Sequence, residues 1–128
     1  MTLDDVRRYL GAEVICCGEK LDREVTSAFG CDLMSDVLAF ARPGTLLLTG
    51  LTNSQVIHTA ELIDAAGVVF VRGKHPSSET IRLSIEKGIP LLATRLLLYD
   101  SCGLLFSKGL RGCSTVDLPE TPREATAI

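Results

Sequence analysis

The largest group of cationic side chains in this sequence lies in one turn, Arg72 to Ser78, directly after a short apolar run. The side chains and backbone that would contact a ligand there belong to Arg72, Gly73, Lys74, His75 and Ser77. Guanidinium, ammonium and hydroxyl groups are natural partners of a carboxylate or a phosphate. The turn therefore predicts an anion site; the alternative is that Arg72 and Lys74 are solvated surface charges.

A second polar turn follows another apolar run, and its candidate ligand-binding residues are Thr49, Gly50, Thr52, Asn53 and Ser54. A glycine lets the backbone approach a ligand closely, and free N–H groups at a helix start attract anions. The sequence contains no phosphate-binding loop of the G-x-x-x-x-G-K-[ST] type. The alternative is a self-capped corner, in which Thr52 and Gln55 form a capping box.

Two further residues are candidates at the same edge of the predicted sheet. Asp32 follows the second predicted strand, where it either caps the next helix or accepts a hydrogen bond from a ribose or another ligand hydroxyl. Thr94 follows the fifth predicted strand, and Arg95 beside it would add a cation.

Catalytic and metal-binding patterns find little support. The histidines His58 and His75 are far apart in the sequence, and we expect His58 to be an exposed or boundary residue of a helix. No nucleophile motif and no metal-ligand spacing occurs. A pair between Cys31 and His75 is open if their turns are adjacent. We therefore predict no catalytic residue, no metal site and no cofactor.

The elements that position these turns alternate between strands and helices. Strands are predicted at Glu13–Cys17, Glu24–Phe29, Thr45–Thr49, Val68–Val71 and Leu91–Ala93. Five helices are predicted between and around these strands. The first runs from Leu3 to Leu10, the second begins after Asp32, and the third begins after Thr52 and ends at Gly67. The fourth begins after Ser77 or Ser78 with Ile81 and Ile85 on its core face, and the fifth covers about Leu97 to Leu105 with Gly109 as its cap. The apolar stripe of the second helix consists of Leu33, Val37, Leu38, Phe40 and Ala41.

This order predicts an α/β fold, a three-layer α/β/α sandwich around a mainly parallel sheet of about five strands. Runs such as Leu46 to Leu48 are too apolar for a strand with one wet face, so helices should cover both faces. Right-handed crossovers place the third, fourth and fifth strands parallel and side by side. Their carboxyl ends would then form the crevice in which ligands bind.

Composition limits the remaining possibilities. With 128 residues, 46% of them hydrophobic, the chain has room for one domain, predicted at residues 1–110 with a poorly ordered tail at 111–128. A net charge of -3 argues against a nucleic-acid binder, and no apolar run is long enough to span a membrane. Five cysteines without a C-x-x-C pair favour a reducing compartment, so we expect a cytoplasmic protein.

Four segments together resemble the DRTGG domain family: Gly30-Cys31-Asp32-Leu33-Met34-Ser35-Asp36, Leu47-Leu48-Thr49-Gly50, Val71-Arg72-Gly73-Lys74-His75-Pro76, and Gly88-Ile89-Pro90-Leu91-Leu92-Ala93-Thr94. The resemblance extends from about Leu3 to Leu110. It implies a fold like the N-terminal domain of HPr kinase/phosphorylase. It also implies a regulatory or ligand-sensing module that occurs beside CBS and phosphotransacetylase domains and is rarely the catalyst.

Three functions are compatible with these patterns. The first is a non-catalytic regulatory domain that binds a small anionic ligand, such as a nucleotide, in the crevice. The second is a protein-interaction module that forms a homodimer or docks on a partner enzyme; we expect a homodimer because so apolar a domain has surface to cover. The third is a small enzyme that uses the same turns.

Overall fold

The computed structural model describes residues 1–119, in which strands and helices alternate. The strands are β1 (Glu13–Cys16), β2 (Ser27–Gly30), β3 (Thr45–Thr49), β4 (Gly67–Phe70) and β5 (Leu91–Ala93). The helices are α1 (Leu3–Leu10), α2 (Met34–Phe40), α3 (Ser54–Leu62), α4 (Ser78–Lys87) and α5 (Leu98–Ser107), with one short 3-10 helix at Gly18–Lys20.

The five strands form one sheet in the order β1-β5-β4-β3-β2. Strands β2 to β5 are mutually parallel, and β1 joins β5 in the antiparallel direction. The prediction of a mainly parallel sheet with the third, fourth and fifth strands side by side is confirmed.

Helices cover both faces of this sheet, which confirms the three-layer α/β/α sandwich. Helices α2, α3 and α4 pack side by side on one face. Helices α1 and α5 pack together on the other face, where α5 lies over β2 and β3. A series of parallel strands that advances in one direction places its right-handed crossover helices on one face, as α2, α3 and α4 show.

Strand β3 shows why its sequence contains no polar alternation. Leu46 and Leu48 pack with α1 and α5, whereas Leu47 packs with the three helices on the opposite face. All three side chains are completely buried. Since successive side chains of a strand point to opposite faces, a strand covered on both faces must be apolar throughout.

Several helix ends follow from local sequence. Thr2 and Asp5 form a capping box at α1, Gly11 ends that helix in the left-handed conformation, Ser77 caps α4, and Gly88 ends it at φ 72. The predicted bounds of α1 and the predicted start of α4 after Ser77 or Ser78 are confirmed.

Other local predictions are wrong. The second strand is shorter than Glu24–Phe29, and β4 lies one residue earlier than predicted. Gly67 begins β4 rather than ending α3, and the C-cap of α5 is Lys108 rather than Gly109.

Among the predicted core positions, Leu33, Leu38, Phe40 and Ile85 are exposed. The buried side chains of α2 are Met34 and Val37, and those of α4 are Thr80 and Ser84, because tertiary packing selected different faces.

The segment after α5 runs beside the edge strand β2. Gly112 forms a parallel bridge with Ala28, Cys113 is buried, and the Arg42 guanidinium donates to the carbonyls of Cys113 and Ser114. These are the first residues of the predicted tail, 111–128. Residues 120–128 lie outside the described part of the chain, and the domain boundary stays a prediction.

Within residues 1–119, none of the helices combines the length and the apolar composition that crossing a bilayer requires.

Candidate functional site

Asp32 is held by the turn after β3, not by the helix that follows it. Its Oδ1 accepts a hydrogen bond from the Thr49 hydroxyl at 2.9 Å and another from the Gly50 N–H at 2.8 Å. The prediction that Asp32 caps the next helix is wrong, since the N-cap of α2 is Leu33 and no side chain caps it. Asp32 is itself exposed. Its carboxylate is therefore fixed through one oxygen and faces solvent.

The turn after β3 satisfies most of its polar groups internally. The Thr49 hydroxyl, which is completely buried, donates to Asp32 and accepts from the Leu51 N–H. Asn53 caps α3 through the Gln55 N–H, so the predicted capping box of Thr52 with Gln55 is wrong. Thr52 is half-buried, and Ser54 is exposed as the first residue of α3.

The turn after β4 is tight and left-handed. Arg72 and Gly73 have φ values of 63 and 68, and the Lys74 N–H donates to the Val71 carbonyl. Two positive φ values at the centre of a four-residue turn are typical of type I′. A left-handed conformation is unfavourable for an arginine, by roughly 1–2 kcal/mol. The turn keeps an arginine at a position that glycine or asparagine would fill with less strain.

Two backbone hydrogen bonds join this turn to the loop after β5. The Arg72 N–H donates to the Leu96 carbonyl, and the Gly73 N–H donates to the Thr94 carbonyl, both at 2.9 Å. The helices that follow these two strands leave in opposite directions, because α4 covers one face of the sheet and α5 covers the other. Such a change of face between adjacent parallel strands is where α/β proteins form ligand crevices.

The Arg72 side chain extends back across the turn after β3. Its guanidinium lies so close to Gly50 that a Cβ at this position would be 2.6 Å from one terminal nitrogen. Gly50 is buried beneath this group. The structure thus brings together Asp32, Thr49, Gly50 and Arg72, which come from three separate segments of the sequence.

The other predicted site residues are placed differently. Lys74 is exposed, and His75 pairs with Glu13 of β1; this hydrogen bond raises the pKa of the His75 imidazole. The Ser77 side chain caps α4, and the buried Thr94 hydroxyl donates to the Leu10 carbonyl at 2.8 Å. The side chains of Ser77 and Thr94 therefore already have structural partners.

The possible pair of Cys31 with His75 does not form. The Cys31 thiol contacts the backbone of Leu33, and His75 contacts Glu13. His58 is exposed on α3, as expected. Among residues 1–119, no group of three or more histidine, cysteine, aspartate or glutamate side chains has the arrangement of a metal site.

Three cavities of about 450 to 560 Å³ lie away from this cluster. One lies beside the edge strand β2, a second near Phe106 and the segment after α5, and a third between α3 and α4. None of the three is lined by Asp32, Gly50 or Arg72. A ligand of the cluster would therefore bind outside these three cavities.

Sequence reasoning missed the partners that join the candidates. Glu13 was not singled out as a partner of His75, and the contact between Arg72 and Gly50 was not anticipated. The contact with Asp32 has a recognisable signal: Gly30 pairs with Leu48 in the parallel register, and continuing that register sets Asp32 opposite Gly50.

The three-layer sandwich and the polar carboxyl edge of its sheet define the class of this protein as a small α/β domain. The family model of the DRTGG domain matches residues 5–103, so the chain belongs to the DRTGG domain family.

A solved structure supports this assignment at the level of the fold. It contains the CBS and DRTGG domains of the regulatory region of Clostridium perfringens pyrophosphatase, complexed with the activator diadenosine tetraphosphate. The TM-score is 0.63 at 13% sequence identity, and the match covers 98% of this chain but only 58% of the pyrophosphatase chain. A comparison with curated protein sequences gave no match.

Proposed function

We propose that this chain is a non-catalytic regulatory domain that binds a small anionic ligand, a nucleotide, at the carboxyl edge of its sheet. The observation that carries the proposal is the position of Arg72 and Lys74 at the change of face between β4 and β5. Within residues 1–119, neither side chain forms an ion pair. Unpaired cations in a crevice of this type are suited to phosphate.

The regulatory region of the clostridial pyrophosphatase, which contains a DRTGG domain, is complexed with a nucleotide activator. That complex supports a nucleotide as the ligand class to test first. The predicted set that we propose for this edge is Asp32, Thr49, Gly50, Thr52, Asn53, Ser54, Arg72, Gly73, Lys74, His75, Ser77 and Thr94. The side chains of Asn53, His75, Ser77 and Thr94 have partners inside the domain and would shape the edge. In this set Arg72 and Lys74 supply charge, and Thr49 and Gly50 position Asp32.

The arrangement favours binding over catalysis. His75 is engaged with Glu13, and within the described residues neither histidine hydrogen-bonds to a hydroxyl or a thiol. A general base must lie within hydrogen-bond reach of the group that it activates. We therefore assign the cluster to ligand recognition.

A thermal-shift titration with ATP, ADP, AMP and pyrophosphate tests the proposal. A ligand that binds only the folded state at one hundred times its Kd stabilises the protein by about 2.7 kcal/mol, so binding should raise the Tm clearly. The double variant Arg72→Ala, Lys74→Ala should lose this increase. Arg82→Ala is the control, because Arg82 is an exposed arginine of α4. No increase with any of the four compounds, or an equal increase in the double variant, would contradict the proposal.

Helix α5 supports a second function, a protein-interaction module that forms a homodimer and has no small-molecule ligand. Tyr99, Gly103 and Phe106 are exposed at the spacing i, i+4, i+7, so they share one side of the helix; Tyr99 is 87% exposed. A glycine between two exposed aromatic side chains would let a second helix approach closely.

Light scattering of Tyr99→Glu tests this second function. We expect the native protein to be a dimer and the variant to be a monomer. Leu62→Glu is the control, because Leu62 is 74% exposed on α3, which covers the opposite face of the sheet. A monomeric native protein would rule the dimer out.

A further inference from the structure

Two opposite charges lie beside Gly50 without neutralising each other. Asp32 accepts a hydrogen bond from the Gly50 N–H, and the Arg72 guanidinium lies over the position where a Gly50 side chain would begin. No ion pair forms between them.

The carboxylate of Asp32 has one oxygen available for a ligand. Its Oδ1 already accepts two hydrogen bonds, whereas Oδ2 has no hydrogen-bond donor among residues 1–119. An ionised carboxylate only accepts, so the complementary ligand group must be a donor. The carboxylate also repels a phosphate that approaches too closely. The cluster therefore matches a ligand with a donor on one side and an anion on the other better than it matches a bare phosphate.

The balance of charge favours a neutral donor over an ammonium group. Arg72 and Lys74 belong to the turn after β4, and Arg95 belongs to the loop that this turn joins through backbone hydrogen bonds. Arg95 is exposed, and it forms no ion pair within the described residues. Three unpaired cations on these two joined loops fit a ligand with several negative charges. An amino acid zwitterion carries only one.

We propose that Asp32 binds the ribose hydroxyls of a nucleotide whose phosphates lie on Arg72, Lys74 and Arg95. This inference rests on the proposed function, since it presupposes nucleotide binding at this edge. It adds that the site selects a ribonucleotide through its sugar. Exposed Leu96 and Leu97, which follow Arg95, provide an apolar surface for the base.

Isothermal titration with ADP and with 2′,3′-dideoxy-ADP tests the inference. The native protein should bind ADP at least tenfold more tightly than it binds 2′,3′-dideoxy-ADP, because the ribose hydroxyls of ADP would donate hydrogen bonds to the charged Asp32 carboxylate, and such bonds are stronger than neutral ones. Equal affinities for the two nucleotides would overturn the inference and leave the proposed function standing. Failure to bind either nucleotide would overturn the inference as well, and pyrophosphate binding that depends on Arg72 and Lys74 would then decide whether the cationic site exists.

The variant Asp32→Asn tests whether the preference for ADP over dideoxy-ADP depends on the Asp32 carboxylate. Its remaining amide oxygen still accepts from Thr49 and Gly50, so the turn should keep its structure. We expect the ratio of the ADP affinity to the dideoxy-ADP affinity to fall to within twofold of one, while the loss of the carboxylate's repulsion raises the affinity for dideoxy-ADP. Asp22→Asn is the control, because Asp22 is exposed in the loop before β2, at the opposite edge of the sheet. An Asp32→Asn protein that keeps the native preference would refute the assignment.

Discussion

The turns after β3 and after β4 contain similar polar residue types but use them differently. After β3, the Thr49 hydroxyl, the Gly50 N–H and the Asn53 side chain all have partners within the domain. After β4, the backbone of Arg72 and Gly73 is hydrogen-bonded, whereas the side chains of Arg72 and Lys74 have no partner among the described residues. The first turn should therefore matter for stability and the second for binding.

The largest expected effect on stability comes from Thr49→Val. This change keeps the shape of the side chain but removes a completely buried hydroxyl that donates to Asp32 and accepts from Leu51. We expect a loss of about 2 kcal/mol in the free energy of unfolding, because partners are left unsatisfied. Urea denaturation measures it.

Thr52→Val is the matched control for the same turn. Thr52 is only half-buried, and its hydroxyl has no hydrogen-bond partner in the described part of the chain. The change should alter stability by less than about 0.5 kcal/mol. If Thr49→Val and Thr52→Val cost the same, the turn after β3 is not held by the Thr49 hydroxyl.

The second prediction separates stability from binding in the turn after β4. Arg72 adopts a left-handed conformation with φ 63, so Arg72→Gly should stabilise the ligand-free domain by about 1 kcal/mol. The same change removes the guanidinium, and nucleotide binding should be lost. Chemical denaturation and the thermal-shift titration measure the two effects.

Asp64→Gly is the control for backbone strain, because Asp64 has a similar φ of 53 at the end of α3, before β4. It should also gain stability while keeping nucleotide binding. A loss of stability in Arg72→Gly would show that the guanidinium contact with Gly50 contributes more than the strain costs.

The comparison of the two turns also shows which features the sequence could reveal. Apolar runs such as Leu46 to Leu48 predicted a parallel sheet covered on both faces, because burial on both sides imposes that composition. The Ser77 cap and the Gly88 ending of α4 were predictable because they depend only on residues of the same helix. The burial of β3 and these two ends of α4 were therefore predictable, whereas the buried faces of α2 and α4 were not.

The hydrogen-bond partners of Asp32 could not be predicted from local sequence alone. Its partners Thr49 and Gly50 are 17 and 18 residues away, and the contact depends on the register of β2 with β3. A slip of one residue would turn Asp32 to the other face of the sheet. Competing local motifs caused another error, since Thr52 and Asn53 are both plausible caps and only Asn53 is used.

The third prediction tests whether the absence of a side chain at Gly50 is needed to position the Arg72 guanidinium for binding. In Gly50→Ala the new methyl group would meet the flexible end of the Arg72 side chain, which can move away. Stability should change by less than about 1 kcal/mol, whereas ADP should bind several-fold more weakly because the guanidinium is displaced. Titration calorimetry measures the affinity. Gly103→Ala is the control, since a Cβ there meets no atom within 4 Å; an unchanged affinity in Gly50→Ala would show that the contact is incidental.

The smallest predicted effect concerns His75, the one cationic candidate of the turn after β4 that has an acidic partner. Its hydrogen bond with Glu13 raises the pKa of the imidazole above its ordinary value of 6.5. A raised folded-state pKa gives stability that is fully present below pH 6.5 and is lost as the pH rises through the folded pKa. The effect should be small because both side chains are more than half exposed.

Thermal melts of the native protein and of His75→Gln between pH 6 and pH 8.5 measure this effect. The Tm of the native protein should fall relative to that of the variant as the pH rises through this range. Glu13→Gln should behave like His75→Gln, since either change removes the pair. If both variants follow the native pH dependence, His75 has no stabilising partner, and it would join Arg72 and Lys74 as a group free to bind a ligand.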